Sequence, residues 1–166
     1  VLDFVNEVAA HALPEDSWEP ARLEMPIYVD GEVWAKESST ARVGLEDALV
    51  RVAPNTIYTH GQPDPDTVEL KLEEGQIWIN VEGLDSDKTF EVETPDGVAS
   101  VRGTRFSVLV TDKLGTLVST QVGTVTLEAV GSAITVSGGF ESLVPPGGAP
   151  QPSDPMSPVE QLRWGM

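Results

Sequence analysis

The chain has 166 residues, 40% of them apolar, with 27 acidic against 10 basic side chains and no cysteine, for a formal charge of -17. This length suits one domain with tails, able to fold without disulfide or metal staples. So negative a chain is repelled by DNA, RNA and anionic lipid, and without cysteine it can build no disulfide framework, zinc-thiolate site or thiol nucleophile.

The charge is uneven. Val1 to Ala99 holds 22 acids and 6 bases, whereas Ser100 to Met166 holds 5 and 4, so an acidic half precedes a nearly neutral one. No apolar run approaches the roughly 18 residues of a membrane span. The chain starts Val1-Leu2-Asp3 without an initiator methionine, and a preceding segment that would carry any targeting signal is expected.

In chain order, Pro14 and Pro20 punctuate the start, and Trp34 follows in Gly31-Glu32-Val33-Trp34. Glu69-Leu70-Lys71-Leu72, Gln76 to Val81, Phe90 to Glu93, Phe106 to Val110 and Thr124 to Leu127 all alternate with period two, as half-buried strands do. Turns are expected at Glu74-Gly75, Glu82-Gly83, Pro95-Asp96-Gly97, Leu114-Gly115 and Val130-Gly131. Short strands with almost no helical period indicate an all-β sandwich, barrel or solenoid. Gly75-x-Ile77-x-Ile79-x-Val81-x-Gly83 and Gly123-x-Val125-x-Leu127-x-Ala129-x-Gly131 share one frame, either a weak internal repeat or two ordinary strands between glycine turns.

The body is expected over residues 1-144, followed by a Pro/Gly-rich linker at 145-156 and a short helical tail at 157-166. Ser157 is placed to cap that helix, with Pro158 at its first position and Glu160 completing a capping box. So short a helix is marginal alone, and Leu162 and Trp164 are the side chains expected to dock it, on this molecule or on the next.

Catalytic chemistry is poorly represented. His11 and His60 read as solvated residues of a frayed start and a turn, and no nucleophile elbow, phosphate loop or zinc-helix motif is present, so neither an enzyme nor a cofactor is expected. Asp64-Pro65-Asp66 and Asp85-Ser86-Asp87 could offer oxygens to Ca²⁺ but lack the EF-hand glycine and distal glutamate, so solvated turns are the expected reading. Trp78 is out of phase with Ile77 and Ile79 and, if those face the core, is expected to face outward or towards a second layer. Trp34 is similar, and each marks either a contact surface or a site covered by the N-terminal stretch. The neutral strands from Ser100 to Phe140 do little to repel a neighbouring edge, so contact with another protein is expected on that half.

The run from Phe90-Glu91-Val92-Glu93-Thr94-Pro95 through Val101-Arg102-Gly103-Thr104-Arg105-Phe106-Ser107-Val108 resembles the FecR domain, with its F-x-V-x-T-P strand and turn followed by V-x-G-T-x-F-x-V. Val43 to Thr56, Leu72 to Trp78 and Val122 to Leu127 are similar to the flanking elements of that family, and together the likeness runs from about Val5 to Pro146. The resemblance implies a β-solenoid-like or sandwich-like module outside the cytoplasmic membrane, at the envelope, on the cell surface or secreted. Its best-known members relay transporter occupancy to a sigma factor. A non-enzymatic sensory module acting through protein-protein contact is therefore expected. The alternative is a structural surface protomer that self-assembles through neutral strand edges and its tail. Thr94, Pro95, Gly103, Thr104, Phe106 and Val108 carry the family motif and read as fold-making. Gly103 is expected to supply a positive φ or a close backbone approach, Thr104 a hydrogen bond to a neighbouring corner, and Phe106 and Val108 core.

Overall fold

The computed structural model describes residues 1–164 except Glu46, Gln62, Pro63, Gly83, Asp85 and Ser86. The expected Gly83 corner, Asp85 and Ser86 of the second candidate calcium loop, and Gln62-Pro63 after His60 thus lie outside the described residues.

Two sheets form the body, and one long strand belongs to both. The first runs β1 (Asp3–Val5), β5 (Thr40–Leu45), β6 (Ala48–Val52), the second part of β8 (Thr67–Val81), β11 (Arg105–Thr111), β12 (Gly115–Val122), β15 (Phe140–Val144) and β16 (Asp154–Pro155). The second runs β3 (Glu19–Pro20), β2 (Val8–His11), β4 (Glu32–Ala35), β7 (Thr56–His60), the first part of β8, β9 (Thr89–Glu93), β10 (Val98–Val101), β13 (Thr124–Ala129) and β14 (Ser132–Ser137). Pairing is antiparallel except between β8 and β9. One helix, α1 (Pro158–Trp164), ends the described chain.

Ile77, Ile79, Phe106, Val108 and Val118 from the first sheet and Tyr58, Leu70, Leu72, Phe90, Val92 and Leu127 from the second are buried in one contiguous core. The chain is therefore all-β with a short C-terminal helix, two sheets packing their inner faces together in the sandwich-like form of the expected fold. The period-two alternation produces this directly, since each strand points alternate residues at the core.

The expected Glu74-Gly75 turn is instead the point at which β8 leaves the second sheet for the first, so the two predicted strands are one 15-residue strand. Gly75 has φ +92°, and a methyl group there would lie 2.6 Å from Thr56 Cα and closer still to its hydroxyl. Only glycine allows this close, left-handed crossing. Gly123, with φ +89°, marks the return from β12 in the first sheet to β13 in the second. The leading glycines of the two similar frames thus occupy equivalent positions, where the chain changes sheets. Val130 (φ 44°) and Gly131 (φ 77°) close the β13–β14 hairpin as a two-residue turn.

Both histidine expectations are overturned. His11 lies buried on β2, its Nε2 2.8 Å from Glu32 Oε2 and its Nδ1 2.9 Å from Leu13 O. His60, on β7, stacks on the buried Tyr58 with its Nε2 3.2 Å from the phenol oxygen, and burial pushes the imidazole pKa down to about 4. His11 is buried because the N-terminal stretch forms sheet strands, and His60 is half-buried at the end of β7 with its ring stacked on Tyr58. The 145-156 segment also packs: Gln151 N donates to Leu143 O, Asp154 and Pro155 pair with β15, and Met156 is buried. Its backbone hydrogen-bonds to the sheet edge, which a composition argument based on apolar content does not register.

Candidate functional site

The outer face of the first sheet carries a continuous row of side chains: Arg51, Trp78, Ser107, Ser119 and Glu141 lie side by side across β6, β8, β11, β12 and β15. Period-two geometry sets this row opposite the core positions Val50, Ile77, Ile79, Phe106 and Val108. Ser119 is nevertheless buried, its Oγ donating to Glu141 Oε2 at 3.2 Å, and so is Ser107, because the C-terminal tail lies over it.

Glu160 of α1 makes that contact. It is only 5% exposed, and its carboxylate accepts hydrogen bonds from Ser107 Oγ (2.6 Å), Trp78 Nε1 (3.0 Å) and Gln76 Nε2 (3.1 and 3.2 Å). Arg163 Nη1 lies 3.7 Å from the same carboxylate and donates to Gln76 Oε1 at 3.1 Å. Arg51 stacks over the Trp78 ring at 4.4 Å and donates to Arg163 O at 2.7 Å. Burial lowers the Arg51 pKa from its ordinary value, an effect opposed by the Glu160 charge. A buried carboxylate costs several kcal/mol unless it is matched by donors, and here three side chains and a nearby guanidinium match it. Beside the helix opens a groove of about 750 Å³, lined by Arg42, Arg51, Gln76, Trp78, Leu109 and Arg163 among others.

These contacts revise the expected docking. Ser157 does cap α1, its Oγ accepting from Glu160 N at 3.2 Å, but the Glu160 side chain turns to the sheet instead of completing a capping box. Leu162 does not dock and is 72% exposed. Trp164 is half-buried, its indole N–H without a partner among the described residues. Helix attachment therefore rests on a polar side chain that the sequence reading assigned to a cap. An outward Gln76-x-Trp78 pair and a serine at the outward position of Phe106-Ser107-Val108 were the available signals for a polar acceptor on this face.

Trp34 lies on the outer face of the other sheet, where Pro20, Ala9 and Trp34 are direct neighbours across β3, β2 and β4. Trp18 packs edge-on against it, with ring centroids 5.7 Å apart and planes at 73°. The structure therefore places Trp34 and Trp78 on different sheets.

The motif residues hold corners and core. Thr94 Oγ1 accepts from Asp96 N (3.2 Å) and Gly97 N (3.1 Å) and lies 2.9 Å from Thr116 Oγ1, tying the Thr94-Pro95-Asp96-Gly97 turn between β9 and β10 to the start of β12. Thr104 Oγ1 donates to Thr124 O at 3.1 Å, and Phe106 and Val108 are fully buried. Gly103 departs from expectation: its φ is not in the left-handed region and a methyl there would meet nothing within 4 Å. The tight residue is Gly123, whose added methyl would fall 2.9 Å from Gly103 O. In the first candidate calcium loop, Asp64 Oδ1 accepts from Asp66 N at 3.1 Å as an ordinary turn. Among the described residues, no helix is long and apolar enough to cross a membrane.

Comparison with solved structures gives the same architecture. Two crystal structures, at 1.65 and 2.50 Å resolution, of a candidate anti-sigma factor from Parabacteroides distasonis match with TM-score 0.69 and 22% identity, covering 80% of this chain. This chain spans 63% of the length of that protein. No curated protein matches it. The family description "FecR protein" matches residues 31–126, from the start of β4 through the crossing at Gly123 into β13, and the chain belongs to the FecR family.

Proposed function

We propose that this chain is an extracytoplasmic regulatory module without catalytic activity, and that it passes on a signal through protein contact at the Trp78 face, with α1 as a removable cover. Membership of the FecR family supports the regulatory class. The observation that carries the choice of face is the Glu160 carboxylate held by Gln76, Trp78 and Ser107. A seven-residue helix does not persist in water alone, and Val159 and Leu162 are exposed, so the Glu160 contacts hold the cover, with only Trp164 half-buried and Met156 buried beside them. A protein segment offering its own carboxylate to the same donors, and apolar surface to the adjoining groove, competes with it.

The test is made in the source cell. Glu160→Ala in the full-length protein is expected to change the transcription of a coordinated set of genes while the protein stays in the envelope or secreted fraction. An unchanged transcript profile, or a protein confined to the cytoplasm, overturns the reading.

The structural-protomer reading has one supporting observation. β14 (Ser132-Ala133-Ile134-Thr135-Val136-Ser137) carries no charge and ends the second sheet, hydrogen-bonded there to β13. Such an edge invites strand addition by another copy. Light scattering across a concentration series decides between the two: oligomers that Thr135→Lys or removal of residues 145–166 dissolves favour the protomer, and a strict monomer excludes it.

A further inference from the structure

The outer face of the second sheet holds a notch that the tail does not reach. Ala9 sits between larger neighbours in the β3–β2–β4 row, so the sheet surface dips there, and Trp34 and Trp18 wall the dip at 73° to each other. The resulting pocket is about 280 Å³. Trp18 is 42% exposed, yet it is held in orientation by the buried His11 ring, 4.6 Å away and edge-on. His11 is itself fixed through Glu32. Glu7 and Glu19 stand at the pocket rim, Glu19 already paired with Arg22 at 2.9 Å. The chain already places one cation here: Lys36 Nζ lies 5.3 Å from the Trp34 ring centroid and 3.8 Å from Glu7.

We propose that this notch is a binding site for a cationic side chain, a lysine or arginine of a basic protein segment, and that Lys36 is its resident stand-in. An indole face attracts a cation through its quadrupole, and a cation within about 6 Å of a ring centroid is in range, as Lys36 is of Trp34. The Glu7 carboxylate, 3.8 Å from Lys36 Nζ, supplies directed charge. The surroundings favour a cationic ligand, because Val1 to Ala99 holds 22 acids against 6 bases. A wall prepositioned by His11 lowers the ordering cost of binding. The site is separate from the Trp78 face, and its proof or failure leaves that reading intact.

The experiment titrates the full chain with hexalysine peptide, following the indole N–H signals by NMR and affinity by calorimetry. The expected result is that the Trp18 and Trp34 signals move while those of Trp78 and Trp164 stay, and that Trp18→Ala weakens binding about tenfold or more. Lys36→Gln empties the notch and is expected to tighten binding severalfold more than Lys113→Gln, which changes net charge equally on a distant turn. That gain cannot come from misfolding. Equal binding by Trp18→Ala, or no advantage of Lys36→Gln over Lys113→Gln, reduces the effect to general attraction by an acidic surface and overturns the proposal. Binding of neutral cellotetraose in preference to hexalysine also overturns it, making the walls a sugar platform.

Discussion

Ser107 Oγ donates a 2.6 Å hydrogen bond to Glu160 Oε1, joining the middle of β11 to a helix 53 residues further along the chain. Ser107 also neighbours Trp78 across the β8–β11 ladder, so one carboxylate gathers donors from two adjacent strands. The helix is placed by this convergence.

Replacing Glu160 with alanine is expected to release the tail. It leaves Gln76 Nε2, Trp78 Nε1 and Ser107 Oγ without their acceptor, a loss of about 1–3 kcal/mol in urea unfolding. Limited proteolysis should cut the 145–157 segment several times faster than in the parent, with Trp78 emission shifted to the red. Unchanged cleavage would show that β16 and Met156 hold the tail without Glu160.

Gly75 and Gly103 should respond very differently to alanine. At Gly75 a left-handed φ of +92° combines with overlap on Thr56, and destabilisation of about 3 kcal/mol or more is expected. At Gly103 the space is open, and the change should stay within about 0.5 kcal/mol. Chemical denaturation of both variants measures the contrast, and similar losses at the two sites would contradict the assignment of the sheet crossing to Gly75.

Thr94→Val keeps the shape of the side chain and removes its hydroxyl. Asp96 N and Gly97 N then lose an acceptor and Thr116 a partner, and about 1–3 kcal/mol of stability should go with them. Hydrogen exchange of the Asp96 and Gly97 amides should accelerate locally, a readout that a general loss of packing would spread over β9 and β10 alike.

The depressed His60 pKa makes stability depend on pH. The unfolded imidazole takes up its proton near its ordinary value of 6.5, whereas the folded one does so only at about 4. Between these values the unfolded state binds more protons, so the His60 contribution is complete above pH 6.5 and is lost as pH falls towards 4. The span corresponds to about 3 kcal/mol. Carboxylates titrate in the same region; burial and the neighbouring Glu93 raise the pKa of Glu69, for example. The measurement is therefore the difference between the stability-pH curves of the parent and His60→Gln. A flat difference from pH 4 to 6.5 would refute the assignment.

Much of this architecture is legible in the residues. Alternation in Gln76 to Val81 and in Phe106 to Val110 assigns core and outer faces correctly, because strand geometry has a fixed period of two. Ser157 is readable as a cap because capping is a contact over three residues. The same locality makes the capping box misleading: Glu160 has a local partner on paper and better donors in space. The burial of His11 and half-burial of His60 are not legible locally, because they depend on what other segments cover, and the packing of Trp18 against Trp34 is equally a matter of which strands lie side by side.

By itself, then, the sequence determined the all-β class, the faces of the strands, the turn at Thr94 to Gly97 and the family motif, all properties of short windows with their own periodicity and turn chemistry. Tertiary structure alone decided that Gly75 is a crossing and not a turn, that Glu160 closes over Trp78, and that Trp18 and Trp34 form a notch. Each of these rests on pairings between residues far apart in the chain, where the energy of a polar or aromatic group depends on the partners that folding brings to it.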